Sequence, residues 1–523
     1  VAGLTPPTNS AAPRPPGAGE ANPARRPRPA DVSFQVIESI QTVLTALMLA
    51  FIFRAFFVEA FVIPSGSMAE SLLGQHGTLV CPICGWEFDY GPADSRADQR
   101  GGFAAPGTVY CPNCHAGIGL GEEDVAVKAG DRILVHKWPF VVGGPLGPGR
   151  WDVVVFRNPS DPTQNYIKRL VGLPNETVEI IDGDVFIKAA GADTFRVARK
   201  TPAAQSALWF VVFDQNYLPT DATRRGRPPA WVAEATDTPT AVGWSGMETR
   251  VIRHAAHDGA ARAILFEPTG SRYYLQDVYG YNHASGGNYA GDVRIVAEVT
   301  VEGGTGWLRW ELTRDGRLFA VQFWRDGTVT LSAKPADGDE VVLQTARISA
   351  LDDRRPRVIE FAHLDWRVYV KVNGRELLAT TDEQYAPALD QLRASRRMAP
   401  LRLRLAAANL SLLLRGLRVD RDVYYACDPA RTLRAYAGNP FALGEDEYFV
   451  LGDNSPDSAD SREWNEAGVH LREALKSGSY RIGTVRADQI VGKAFFVYLP
   501  GLLPLDGKSS WRIPDIGRVR FIR

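Results

Sequence analysis

Ser67 and Lys168 are the two residues of this chain whose types and settings most suggest covalent chemistry. Ser67 stands in Ile63-Pro64-Ser65-Gly66-Ser67-Met68, and Lys168 in Tyr166-Ile167-Lys168-Arg169-Leu170-Val171-Gly172-Leu173-Pro174. A serine hydroxyl is a weak nucleophile at neutral pH and needs a base within hydrogen-bond reach. Histidine is the usual base, but none of the eight histidines, His76, His115, His136, His254, His257, His283, His363 and His470, stands in a block of the Ser/His/Asp protease type. A lysine can do the same work if its amine is neutral, and burial in an apolar site lowers its pKa by up to several units. Tyr166, Ile167, Leu170 and Val171 alternate like a half-buried strand, and residues 153–156 supply a second apolar strand just upstream. The Ser-x-x-Lys pairing is absent, because Glu70 stands three residues after Ser67.

Two further groups carry chemistry. Cys81-Pro82-Ile83-Cys84-Gly85 and Cys111-Pro112-Asn113-Cys114 are two tight knuckles, each aiming two thiolates at one point. Four sulfurs from two knuckles suit a closed tetrahedral zinc site, structural rather than catalytic. The 26 residues between the pairs make a longer spacing than the usual ribbon, and disulfides are the alternative in an oxidising compartment. His115 is read as a bystander, and Cys427 stands alone. The last group is Gly452-Asp453-Asn454-Ser455-Pro456-Asp457-Ser458-Ala459-Asp460-Ser461-Arg462. Taken singly, such a stretch is a turn, a Lys-Arg pair is a solvated surface, and a Ser-Met pair is nothing.

Taken together and in this order, the blocks at Ser67, Lys168 and 452–462 resemble the signature boxes of bacterial type I signal peptidase, a membrane-bound Ser–Lys protease. The resemblance implies roles residue by residue. Ser67, directly before Met68, matches the nucleophile, and Lys168, the first of the Lys-Arg pair, matches the general base. Ser65 matches the hydroxyl that joins the Ser67 backbone N–H in the oxyanion hole. Ser458 matches the serine that hydrogen-bonds and orients the lysine amine, and Asp460 and Arg462 match a supporting ion pair. Val491-Gly492-Lys493-Ala494 resembles the closing block. The chain departs from the family pattern at Glu70 and Ser71, where Pro and Thr are usual, at Asn175-Glu176, where Gly-Asp is usual, and at Trp151, where Gly is usual. Glu70 would raise the Lys168 pKa if the two lie close. No cofactor is implied for catalysis. The implied substrates are secretory preproteins cut after an Ala-x-Ala pattern and bound extended against strand edges.

Several elements must position these groups. Residues 1–33, rich in Pro and Ala with four arginines, cannot build a core and are expected to be disordered. A charge-free run of 15 residues, 39–53, extends to an apolar segment over 34–58 that takes in Glu38 and Arg54, and the expectation is a transmembrane anchor. Arginines before it and none from 55 to 80 predict a cytoplasmic N-terminus and an extracytoplasmic remainder. The expected setting is the bacterial inner membrane, crossed once, with the lipid bilayer and the secretion translocon as partners. The 59 basic and 60 acidic residues, net −1, give no argument for nucleic acid.

At 523 residues the chain must hold several domains. The catalytic domain is expected in three parts, 59–76, 129–189 and 446–523. A zinc ribbon over 77–128 and a strand-rich insertion over 190–445 interrupt it. In the latter, residues 293–301, 308–312, 318–323, 329–331 and 367–372 alternate or nearly alternate. Asp315-Gly316, Asp326-Gly327 and Asn373-Gly374 stand between or just after them as hairpin turns. That pattern reads as an antiparallel sandwich similar to concanavalin- or laminin-G-like jelly rolls. Its aromatics Trp310, Trp324 and Trp366 are expected in the core. The fold class is mainly β, and the predicted function is removal of signal peptides by a Ser–Lys acyl-enzyme. The alternative is a membrane-anchored, lectin-like binding protein on an inactive protease scaffold.

Overall fold

The computed structural model describes residues 29–522 apart from 94–103, 122–126, 143, 220–228, 236–242, 256–258, 268–274, 278–280, 282–286, 315, 352–353, 395–400, 429 and 505–511. The expected disordered tail falls outside the described residues up to position 28. The chain divides into two units, Val1–Phe56 and Phe57–Arg523.

In the first unit, Pro29–Phe56 is one α-helix. Among the described residues, no helix is long and apolar enough to cross a membrane, so the anchor expected over 34–58 is not borne out there.

The second unit is mainly β. An antiparallel sheet runs in the order Val58–Val62, Arg132–His136, Ile490–Leu499, Val153–Arg157, Asn165–Gly172, Glu447–Leu451 and Val485–Arg486, with Arg520–Phe521 added beside Ile490–Leu499. It thus gathers strands from all three predicted parts of the catalytic domain. In its middle, Val154 faces Lys168 and Val153 faces Arg169. The strand Asn165–Gly172 is buried on both faces from Ile167 onward, not half-buried as its alternation suggested. Ile167 joins Val153, Val155, Met68 and Leu72 in one cluster, and Leu170 joins Val154, Phe156 and Val450 in another. Both faces are therefore covered, and the lysine between them is buried. A smaller sheet orders Arg196–Val197, Asp184–Lys188, Thr177–Ile181 and Phe441–Ala442.

The long insertion folds around two strands, Val293–Arg314 and Arg402–Arg421, paired along most of their length. Val293–Arg314 was expected as two strands. The glycines at 303, 304 and 306 interrupt the alternation without ending the strand. They shift its register, and the backbone at Gly306 comes so near its partner that a Cβ there would lie 1.8 Å from the Ala408 oxygen. On one side of this bulge the strand pairs Arg357–Leu364, and on the other Arg317–Trp324. Ile295 and Ile359 from the first side meet Trp310 and Phe319 from the second in one core. The sandwich is thus a sheet folded over on itself. The turns at Asp326-Gly327 and Asn373-Gly374 form as expected, with Gly327, Asn373 and Gly374 all at positive φ. Gly316 also has positive φ, while Asp315 lies outside the described residues.

Candidate active site and metal centre

The chain enters the site as the extended segment at Ser65 and tightens into a 3-10 turn, Gly66–Met68, with Ser67 at its middle. Met68 and Leu72 anchor this turn in the apolar cluster that also holds Ile167. Lys168 reaches it from the central strand, and its Nζ donates to Ser67 Oγ at 2.5 Å. Both side chains are buried, at 4% exposure for Lys168 and 8% for Ser67. Burial pulls the Lys168 amine down to about 8, against the opposing pull of Asp460 and Asp453. Arg462 and Asp457 are the next charges in weight, and Glu70 is not among these groups.

The two carboxylates that oppose burial are each bound to an arginine. Asp460 accepts from Arg462 Nε at 2.9 Å and Nη2 at 2.7 Å. Asp453 accepts from Arg169 Nε at 2.8 Å and Nη2 at 2.7 Å. All four groups are buried. Burial would push the Asp460 carboxyl up, but the Arg462 guanidinium outweighs it and holds it below the usual range. Asp460 also accepts from the Gly452 N–H at 3.0 Å, so the ion pair braces the wall beside the lysine.

Ser65 and Ser458 both lie at the site. Ser65 Oγ donates to Ser67 Oγ at 3.4 Å, which puts a second hydroxyl beside that of Ser67. Ser458 is fully buried, yet its Oγ has no hydrogen-bond partner among the described residues. The expectation that it hydrogen-bonds the lysine amine is therefore corrected. Its hydroxyl instead crowds Gly452, where a Cβ would lie 2.1 Å from Ser458 Oγ and 2.5 Å from the Ser67 carbonyl oxygen. Only glycine allows the 452–462 segment to come this close to the serine turn.

Four contributors escaped the sequence reading. Asn454 ties the two segments together: its N–H donates to the Ser67 carbonyl at 3.1 Å and its Nδ2 to the Gly66 carbonyl at 3.0 Å. Asp453 and Arg169 sat inside blocks already singled out, but only the fold shows that they pair. Tyr281 comes from the long insertion, far from any block. It is buried against Ala69 and Leu73, and its hydroxyl donates to the Gln75 carbonyl at 2.7 Å. Its ring lies over Gly66, where a Cβ would be 2.2 Å away. Lys493, in the closing block, pairs with Asp152 at 2.5 Å.

The four paired cysteines converge. Gly85 N–H closes the first knuckle on the Cys81 carbonyl, and His115 N–H closes the second on Cys111, both at 2.9 Å. Each turn needs a left-handed residue, supplied by Gly85 at φ 78° and His115 at φ 54°. This backbone duty is what the structure shows for His115. Cys81 and Cys114 Sγ lie 3.6 Å apart, as do Cys84 and Cys111, and all four sulfurs lie within 4.8 Å of one another. A tetrahedron with zinc–sulfur bonds of about 2.3 Å has edges of about 3.8 Å, so the donor set fits one such ion. None of the five cysteines is in a disulfide. A second cluster, Asp184, Asp292 and Asp365, lies buried at the base of the insertion. It already receives Lys200 and His363, at 2.5 Å to Asp365 and 2.8 Å to Asp292.

Comparison with known proteins adds to this geometry. A family model described as "Signal peptidase, peptidase S26" matches residues 121–222 and 373–499, which include Lys168 and the 452–462 block but not Ser67. Signal peptidase I of Pseudomonas aeruginosa is 43% identical over 70 residues, 12% of this chain and 25% of the relative. Signal peptidase I of Rickettsia bellii is 25% identical over 144 residues, 28% of this chain and 37% of the relative. The chain thus spans between a quarter and little more than a third of these relatives. Among solved structures, the carbohydrate-binding module CBM66 from Bacillus subtilis matches at 9% identity and TM-score 0.23, covering 36% of this chain and 95% of its own. A laminarinase from Rhodothermus marinus matches at 12% and 0.28, covering 41% and 98%. Likenesses this low carry no argument here.

Proposed function

We propose that this protein is a serine endopeptidase of the signal peptidase type, removing N-terminal signal peptides from secretory preproteins through Ser67 and Lys168. The observation that carries the reading is the 2.5 Å contact between a buried amine and a buried hydroxyl. The similarity of residues 121–222 and 373–499 to signal peptidases supports the reaction class. Neutral Lys168 takes the Ser67 proton as Oγ attacks the scissile carbonyl. The Ser67 N–H and the Ser65 hydroxyl, turned from Ser67 Oγ toward the substrate, hold the oxyanion. The Lys168 ammonium then protonates the leaving amine, and the amine, neutral again, activates the water that releases the acyl group. Asp460 and Arg462 position the wall of the site and take no proton.

The test is cleavage of a preprotein bearing an Ala-x-Ala site. Wild type should cut at that site, while Ser67→Ala and Lys168→Ala should be inactive yet melt as cooperatively as wild type. Intact preprotein after incubation with wild type would refute the reading. We also propose that Cys81, Cys84, Cys111 and Cys114 hold one structural zinc ion, which takes no part in the reaction. Metal analysis should then find about one zinc per chain and far less in Cys84→Ser; a zinc-free wild type would reject it.

A further inference from the structure

Two aromatics of the long insertion lie where its strand pattern does not put them. Trp310 is fully buried and Trp366 is 4% exposed, as expected, but Trp324, the last residue of its strand, is 39% exposed. Tyr281, which stands in no strand, is 3% exposed and shares a small apolar cluster with Ala69 and Leu73, just after the serine turn. Its ring fills the space beside two glycines. A Cβ at Gly66 would lie 2.2 Å from the ring, and one at Gly91, next to the strand Glu87–Tyr90, would lie 2.3 Å from it. Neither glycine has a positive φ, so what each supplies is room for the ring. Two hydrogen bonds fix the tyrosine in this gap. Its hydroxyl donates to the Gln75 carbonyl at 2.7 Å, and its backbone carbonyl accepts from the Gly91 N–H at 2.6 Å. The insertion also touches the serine segment at Ser71, whose Oγ donates to the Ala207 carbonyl at 3.3 Å.

The serine turn depends on outside support. It is closed by the Ala69 N–H on the Gly66 carbonyl at 2.9 Å. Gly66, beside Ser67, is of the residue type with the greatest backbone freedom. Asn454 holds the carbonyls of Gly66 and Ser67, and the Tyr281 ring blocks movement at the Gly66 Cα. A misplacement of about 1 Å at a reacting group can cost about 100-fold in rate, so the position of this turn decides how well the Ser67 hydroxyl meets Lys168.

We propose that Tyr281 is a positioning residue for the Ser67 hydroxyl, through which the long insertion completes the peptidase site. The proposal rests on the peptidase reading and adds the insertion to it. The test is steady-state cleavage of an Ala-x-Ala preprotein by the full chain, paired with hydrogen exchange. Tyr281→Leu removes the ring and should lower kcat at least tenfold with KM within about twofold of wild type. Tyr281→Phe keeps the ring and loses only the bond to Gln75, so it should retain at least about a third of kcat. In Tyr281→Leu the Ala69 and Leu72 amides, which donate to the Gly66 and Met68 carbonyls, should exchange at least tenfold faster, while the strand Val153–Arg157 keeps its protection. A wild-type kcat in Tyr281→Leu, a loss confined to KM, an equal loss in Tyr281→Phe, or unchanged exchange at Ala69 and Leu72 would each overturn the proposal. If wild type leaves the preprotein intact, the peptidase reading falls, and the exchange alone decides whether Tyr281 holds the turn.

Discussion

Lys168 and Lys200 both have buried side chains, and their surroundings drive them in opposite directions. Lys168 faces a hydroxyl, and burial pulls its amine down to about 8. Lys200, at the base of the long insertion, touches Asp365 at 2.5 Å and Asp422 at 2.6 Å. Burial pulls Lys200 down as well, but Asp365 and then Asp422 outweigh it and push its pKa well above the usual lysine value. Carboxylates are near both amines. Those beside Lys168 are already bound to Arg462 and Arg169, while those beside Lys200 spend their charge on it. Burial therefore yields a base only where neighbouring anions are given other partners. The two arginine pairs around the active site do that job, as much as they brace its wall.

The contrast can be broken at either end. Lys168→Ala should lower cleavage by about 10²–10⁴-fold or more, the range for loss of a general base, with no loss of thermal stability because a poorly solvated amine is removed. Lys200→Met should do the reverse. It should leave the cleavage rate of the folded protein unchanged and cost about 3–5 kcal/mol of stability in denaturant unfolding, since Asp365 and Asp422 lose their buried partner. If Lys200→Met is as stable as wild type, the two lysines do not differ in the way described. The smallest effect sharpens the picture at the active site. Ser458→Ala removes a hydroxyl that has no partner among the described residues, so cleavage should stay within about twofold and stability should hold or rise by up to about 1 kcal/mol. A loss near 100-fold, of the size that accompanies removal of an active-site hydrogen-bond donor, would mean that Ser458 does orient the amine in the working enzyme.

The legible parts of the molecule are those where one residue type answers one local need. The four cysteines announced their convergence because the Cys-Pro-x-Cys turn has few other uses, and the glycine turns of the insertion announced its hairpins. Ser67 and Lys168 were legible as a pair only through their blocks, since the strand register that joins them depends on residues throughout the chain. What was hidden is cross-chain geometry. Nothing in Gly452-Asp453-Asn454 says that the amide of Asn454 clasps the serine turn, or that the glycine is there because Ser458 is close. Tyr281 sits in no pattern at all, yet its ring lies against the turn that carries Ser67. Trp324 ends its strand, where burial of its face depends on a bulge in the neighbouring strand.

The central claim is that Lys168 works as a neutral amine. Below its pKa the amine carries the proton and cannot take another, so at pH 7 about a tenth of the molecules are active and at pH 9 about nine-tenths are. The direct measurement is kcat/KM for preprotein cleavage between pH 6 and 10. The account predicts a single rise with a midpoint at about 8 and a plateau above it. A flat profile, or a midpoint near the ordinary lysine value of about 10.4, would contradict it.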